Sequence, residues 1–303
     1  MGDYMRRFCF IGLCLLSGLA TFIILLSLLP WPGEMLAPFR PQMLVGTLIL
    51  VVASLPFLSW KLTLAVAAVA TLNAGPMAMR WFGRPVLPAS ETPNLSVLSL
   101  NVLYQNTQYT RAEALIRREN ADVVVASETD PEWIAHFQHL KDVYPYSETI
   151  PGRGAFGLSV HAKSPMKATI LELGPERLPL IRAEFDTYVV YAVHPMPPGS
   201  SDKAAENGIY LQQLAETART ETKPVVLAGD FNTTLWSSNI RPLIQDRWQW
   251  PSGSGAAYTW PVGASFLGIQ IDHILTQRMK AGRFRVLEPI GSDHRPVRAD
   301  LQF

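Results

Sequence analysis

Hydrophobic positions follow two regimes along the chain. Up to Arg84 they form long unbroken runs, and beyond Leu95 they form short blocks. Three runs fill the first part, at residues 8–29, 43–60 and 62–79. The first is uncharged over 22 residues, enough to span a bilayer as a helix, and the second is slightly shorter. The pattern predicts three spanning helices within residues 1–84. A cleaved signal peptide would have a shorter apolar core and no sequel of two further runs. A signal anchor followed by a re-entrant or interfacial hairpin is the other arrangement these runs allow. Lys61 alone separates the second run from the third, which predicts a tight hairpin, and Pro56 is placed to end the second helix early.

After a Pro-containing linker at residues 85–94 the period changes. Residues 95–102 (LSVLSLNV) alternate apolar and polar side chains, as a strand does. Residues 110–119 have apolar positions at helical spacing behind a threonine, and residues 131–140 open on a proline suited to a first helical turn. Residues 122–126 (DVVVA) read as a short strand of the buried type, and residues 224–228 (PVVLA) as another strand. Further strands are expected at 157–162, 168–173, 180–185, 188–194, 269–275, 284–287 and 297–301, with a helix over 203–219. No internal repeat or low-complexity tract is present. Strands in the majority with a few helices predict an α/β domain over residues 95–303, two packed sheets flanked by helices.

Charge follows the same division. Residues 1–84 hold six of the chain's 26 Lys and Arg and two of its 25 Asp and Glu, so the remainder is net −3 with histidine neutral. Arg6, Arg7 and Lys61 flank the runs on one side and Arg40, Arg80 and Arg84 on the other. With the first group cytoplasmic, three crossings place the domain outside the cytoplasm, in a protein integral to the cell (inner) membrane. Cys9 and Cys14 both lie in the first run, so the domain has neither a disulfide framework nor a cysteine metal site. Two sequons, at Asn94 and Asn232, matter only in a eukaryotic secretory route.

Candidate chemistry lies at the downstream ends of the strands. Asn101 ends the first, Glu128 follows VVVAS, His194 ends TYVVYAV, and Asp230 and Asn232 follow VVLAG. Asp272 and His273 sit in GIQIDHIL, while Asp293 and His294 precede the last strand. One such residue is usually a turn or cap residue. Six segments ending in Asp, Asn, Glu or His describe strand ends converging on a rim. Carboxylates, amide and imidazole without thiolate suit a hard cation such as Mg²⁺ or Mn²⁺, an ion that neutralises charge on phosphate esters. Imidazoles beside carboxylates move protons near neutral pH.

The ordered set SLNV, SETD, VHP, GDFN, IDHI and SDHRPV resembles the endonuclease/exonuclease/phosphatase superfamily, from about Leu95 to the C-terminus. The resemblance implies a four-layered α/β sandwich with its site at one edge of both sheets. It implies a metal-dependent phosphoesterase cleaving a phosphodiester or phosphomonoester by attack of water, using Mg²⁺ or Mn²⁺. Glu128 would be the main metal carboxylate, Asn101 a ligand or phosphate contact, and Asp293 a ligand or loop-shaping residue. Asp230 would orient the attacking water or assist the leaving oxygen, and Asn232 and His194 would contact the phosphoryl group. His294 would act in water activation or phosphate binding, and Asp272 would fix the tautomer of an imidazole. Leu103 and Ser127 stand where abasic-site nucleases usually carry an Asn or Asp and a Gln. A dedicated nucleic-acid binder also shows a basic surface, and this domain is net acidic. The tether to a lipid bilayer favours a phospholipid head group or another small phosphoester over nucleic acid. A non-catalytic membrane-tethered binding module on the same scaffold is the alternative of another class, and it would be free to lose Asn232 or His294.

Other residues have plainer expectations. His273 should point to the face opposite Asp272. His161 reads as a sheet-surface histidine, and His136 and His139 as a solvated helix face. Arg153 lies in a glycine-rich turn. Thr259 and Trp260 should support the site, and Trp248 and Trp250 are equally consistent with an exposed lipid or substrate contact and with packing. The topology predicts that protease added to intact cells removes the domain beyond residue 84. Protection until permeabilisation would reverse the orientation.

Overall fold

A computed structural model describes residues 2–57, 60–81, 92–152, 154–245, 248–251, 257–264 and 267–303. They cluster into two compact units, one from the first 83 residues with Leu235–Ser238 and the other from the rest.

The first unit is helical: α1 (Gly2–Leu26), α2 (Gly33–Leu36), a short 3-10 turn, α3 (Arg40–Ser54) and α4 (Trp60–Trp81). Two stretches, Arg7–Leu26 and Gly33–Ser54, are long and apolar enough to cross a membrane, with mean hydropathies of 2.6 and 1.6. Large apolar side chains face outward, among them Phe8 at 80% exposure, Leu15 at 70% and Val52 at 66%. The expected second run, 43–60, is displaced. Its helix starts at Arg40 and ends at Ser54, two residues before Pro56, as the ring's clash with the preceding turn requires. Arg40 is buried, donating to Ser27 O (3.2 Å) and Asn73 Oδ1 (3.4 Å), so its charge serves helix packing. The expected linker, 85–94, falls mostly outside the described residues.

The second unit contains two sheets. In the first, strands run in the order β10 (Lys280–Val286), β11 (Val297–Gln302), β1 (Leu95–Asn101), β2 (Val123–Ser127), β4 (Leu158–Ala162) and β3 (Tyr146–Ile150). The second runs β5 (Lys167–Leu173), β6 (Leu178–Glu184), β7 (Val189–Val193), β8 (Val225–Asp230) and β9 (Asp272–Gln277). Each sheet has one parallel pair, β1 with β2 and β7 with β8, and the remaining pairs are antiparallel. A parallel pair needs a crossover, supplied by α5 (Tyr109–Glu119) and α7 (Ser201–Arg219). Helix α6 (Pro131–Phe137) and the short α8 (Arg241–Gln245) complete the set.

Alternation along the strands separates two layers of core. Val97, Val125, Val160, Val190, Val226, Ile274 and Val297 fill the space between the sheets. Leu98, Leu100, Val124 and Ala126 point the other way and pack against α5 and α6 through Leu115, Ile116, Trp133 and Phe137. The result is the expected α/β/β/α sandwich. Strand β3 and helix α8 are absent from the sequence expectations. Edge strand β3 (YSETI) carries polar, partly exposed side chains and so shows no buried period. Strand β9 starts at Asp272 rather than residue 269, because Ile269 bridges Trp260 instead.

His161 departs from its expectation. It lies on the sheet face but is buried beneath α6, 5.0 Å from the Phe137 ring, and burial lowers its pKa to about 4. Trp248 and Trp250 are both buried, so they are packing residues. His136 stacks on Tyr109 with ring centroids 4.0 Å apart. Arg153 lies outside the described residues.

Gly229 sets the distance between β7 and β8. It pairs with Val193 at φ +152°, and a β-carbon there would lie 2.0 Å from the Val193 carbonyl oxygen. Gly229→Ala should therefore destabilise the domain by about 3 kcal/mol or more through backbone strain and separation of the strands. Thermal unfolding of purified protein measures it, and an unchanged melting temperature would contradict the close approach.

Candidate active site

The strand directions bring the polar ends together. Asn101 ends β1 beside Ser127, so Glu128 emerges next to it, and His194 and Asp230 follow the matching ends of β7 and β8. Strand β9 runs antiparallel to β8 and starts at this end, with Asp272 opposite Asp230. Strand β11 runs antiparallel to β1, so the loop before it delivers His294 to the same rim. Ligand sites in α/β sheets form at such carboxyl ends of parallel strands.

Asp230 is the centre. It is 2% exposed, and both its oxygens are engaged. Oδ1 accepts from the Asn232 backbone N–H (2.8 Å). Oδ2 accepts from Asn101 Nδ2 (3.1 Å) and lies 3.6 Å from His194 Nε2 and 3.7 Å from His294 Nε2. Burial opposes ionisation of Asp230, but His294 and His194 together bring its pKa down to about 2.

His294 Nδ1 lies 2.9 Å from Asp272 Oδ2, which identifies the imidazole that Asp272 serves. Asp272 is in turn positioned by Thr259, whose hydroxyl accepts from the Ile271 and Asp272 backbone N–H groups (3.1 and 3.2 Å). Burial disfavours the imidazolium, yet the Asp272 and Asp230 carboxylates raise the His294 pKa to about 10. Burial likewise raises Asp272, against the pull of His294. At neutral pH His294 therefore carries protons on both nitrogens, with Nδ1–H toward Asp272 and Nε2–H toward Asp230.

Asn101 donates from Nδ2 to Glu128 Oε1 (2.8 Å) and approaches His294 Nε2 (3.5 Å). Its Oδ1 accepts from the Leu103 backbone N–H (2.9 Å), which fixes the amide orientation. In this orientation Asn101 presents its amide donor to the cluster. Asn232 Nδ2 donates to Pro195 O (3.0 Å). Asp293 lies at the rim, 46% exposed, accepting from Trp260 Nε1 (2.9 Å), with Oδ1 4.0 Å from His294 Nε2.

Three of these segments hold non-glycine residues at positive φ: Leu103 (56°), Glu128 (62°) and Asn232 (50°). Such backbone costs of order 1 kcal/mol per residue and is retained where a side chain must be aimed. His273, as expected, faces away from Asp272. Its Nε2 donates to Thr233 O (2.9 Å) just beyond Asn232, while Gln270 Nε2 donates to its Nδ1 (3.3 Å). His273 and Asn207, whose amide reaches Phe231 O (3.1 Å), support this loop and were not among the expected functional residues. Each reads in sequence as one polar residue in a strand or helix.

Among the described residues, two groups bring ligand atoms together as a cation site would, the second only once His294 gives up a proton. Ligand atoms of Glu128, His194 and Asp230 lie within 4.8 Å of one another, as do those of Asp230, Asp272 and His294. Carboxylate oxygens without sulfur fit a hard divalent ion.

The chain matches the model of the Endonuclease/Exonuclease/phosphatase family over residues 98–294. Among curated proteins, none matches. It is similar in fold to an endonuclease/exonuclease/phosphatase from Beutenbergia cavernae DSM 12333 (20% identity, TM-score 0.57, 70% of this chain and 72% of that one). A variant of the 3′ phosphatase NExo from Neisseria, bound to a product DNA hairpin, aligns at 18% identity and TM-score 0.56, over 69% of this chain and all of that one. A beta toxin mutant from Staphylococcus aureus with bound magnesium ions aligns at 16% and 0.51, over 68% and 99%. The carboxylate–imidazole rim lies within the matched residues, and the chain belongs to the endonuclease/exonuclease/phosphatase family, whose members are metal-dependent hydrolases of phosphoester bonds.

Proposed function

We propose that this protein is a membrane-anchored phosphoesterase dependent on Mg²⁺ or Mn²⁺, cleaving a phosphate ester at the bilayer surface, with a phospholipid head group as the first candidate. The observation that carries the proposal is the charge of the rim. Glu128, Asp230 and Asp272 meet there with two imidazoles, and among the described residues no Lys or Arg pairs with them. A phosphate entering this rim meets net negative charge, so a divalent cation is needed for it to bind. Glu128 would hold the ion, with Asp230 and His194 within reach. Such an ion, when bound, neutralises charge on the phosphate oxygens.

The chain's own groups do the rest. Asp230, ionised and fixed at both oxygens, orients a water for attack on phosphorus. His294, protonated at neutral pH, donates from Nε2 to a phosphoryl or leaving oxygen, while Asp272 holds the ring. His194 offers a second nitrogen beside the same Asp230 oxygen. Among the described residues one proton of Asn232 Nδ2 is taken by Pro195 O, and the other would donate to a phosphoryl oxygen. The apolar helices and short tether favour a lipid over a nucleic-acid substrate, as does the domain's net acidic charge, since a polyanion is drawn to a positive surface.

Full-length protein in detergent with Mg²⁺ or Mn²⁺ should hydrolyse bis(p-nitrophenyl) phosphate and phospholipid in mixed micelles, and a chelator should abolish turnover. Asp230→Ala and His294→Ala should each lower kcat by about 10³-fold or more. No turnover with any divalent ion across diesters and monoesters would overturn the proposal, and faster cleavage of DNA than of lipid would favour a nuclease. His294 also links pH to stability. Its folded pKa of about 10 exceeds the ordinary 6.5, so its contribution is full below about pH 6.5 and lost as pH rises to about 10. The melting temperature of chelated protein should therefore fall between pH 7 and 10. Asp272→Asn should flatten that fall, and an identical slope in the variant would refute the assignment of the pair.

A further inference from the structure

Helix α7 buries Ala204, Leu211, Leu214 and Ala218 at helical spacing, and within that face lies one fully buried amide, Asn207. A buried amide is unfavourable unless its polar atoms find partners. Those of Asn207 lie outside its own helix. Nδ2 donates to Met196 O (2.9 Å) and to Phe231 O (3.1 Å), and Oδ1 accepts from Asn239 Nδ2 (3.1 Å). Met196 lies two residues beyond His194, and Phe231 stands between Asp230 and Asn232. The two protons of one amide thus join the two loops that carry these groups. Asn232 Nδ2 to Pro195 O is a direct link between the same loops. One turn along α7, the buried Tyr210 hydroxyl donates to Pro179 O and is hydrogen-bonded by the His194 backbone amide.

We infer that Asn207 is a positioning residue of the active site, setting the spacing of His194 against Asp230 and Asn232 through the backbone of their loops. The inference rests on the phosphoesterase reading above. Asn207 touches neither the substrate position nor the reacting atoms. The place demands two N–H groups at once. Serine offers one donor, leucine none, and aspartate sets an anionic oxygen against two carbonyl oxygens. Loops held by neither end of the clamp separate the imidazole from the carboxylate, and a displacement of about 1 Å can cost about a hundredfold in rate.

The test uses full-length protein in detergent, bis(p-nitrophenyl) phosphate and Mn²⁺. Asn207→Leu and Asn207→Ser are compared with Leu214→Ala, which removes packing from the same helix face but no hydrogen bond. Asn207→Leu should lower kcat by about 10- to 100-fold with KM within about threefold, and Asn207→Ser should fall between it and the wild type. Leu214→Ala, at a comparable loss of melting temperature, should keep kcat within about threefold. Hydrogen exchange supplies a readout independent of turnover. Amides of His194, Met196 and Gly199 and of residues 230–234 should exchange at least about tenfold faster in Asn207→Leu and not in Leu214→Ala. Equal kcat losses in the two variants, or unchanged exchange in both loops, would overturn the inference. If Asn207→Leu does not fold, Asn207→Ser and Asn239→Ala, which frees Asn207 Oδ1, decide by the same two measurements. If the wild type cleaves no phosphoester, the phosphoesterase reading fails while the exchange data still decide the clamp.

Discussion

A carboxylate removed from water must have its charge answered, and Asp230 is answered from four directions. The Asn232 backbone caps one oxygen, and Asn101, His194 and His294 surround the other. These partners arrive from the loop after β8, from β1, from β7 and from the loop before β11. Leaving a buried ion unpaired costs several kcal/mol, so the four segments are bound to one arrangement. The site is in this sense a structural element of the sandwich. It closes one end of the core, where the alternation that buries Val97 and Val226 between the sheets delivers Asn101 and Asp230 at the last inward positions.

The same requirement explains where the backbone departs from regular structure. Leu103, Glu128 and Asn232 adopt left-handed φ within this cluster, and Gly229 allows β8 to approach β7 just before Asp230. Each departure turns the chain sharply after a strand so that a side chain or amide faces the rim. Side chains hold these turns by hydrogen bonds: Asn101 Oδ1 accepts from the Leu103 amide, Asn207 donates to the Phe231 carbonyl and His273 to the Thr233 carbonyl.

Electrostatics divide the roles of chemically similar groups. Asp230 and Asp272 are both buried aspartates, yet two imidazoles bring the Asp230 pKa down to about 2, while burial keeps that of Asp272 raised against the pull of His294. His194 and His294 flank one carboxylate oxygen, and the other nitrogen of His294 lies 2.9 Å from Asp272. That partner makes His294 a lasting cation and so a donor. His161 is the contrast, a buried histidine near no carboxylate, and it is held neutral.

Much of this was written in local pattern. Period-two blocks such as LSVLSLNV marked the strands, helical spacing marked α5 and α7, and the ordered residues from Asn101 to His294 marked the rim, because each depends on neighbours a few positions away. The polar edge strand β3 carried no such mark, and neither did the buried state of His161, Trp248 and Trp250, since burial is conferred by what packs on top. Nor did spacing say which imidazole Asp272 serves, which atom of Asn101 faces the carboxylates, or that Asn207 holds two loops, because these are distances between segments far apart in the chain. Residue type and period are local properties that sequence determined, whereas hydrogen-bond partners and protonation states depend on long-range approach, and only the tertiary structure decided them.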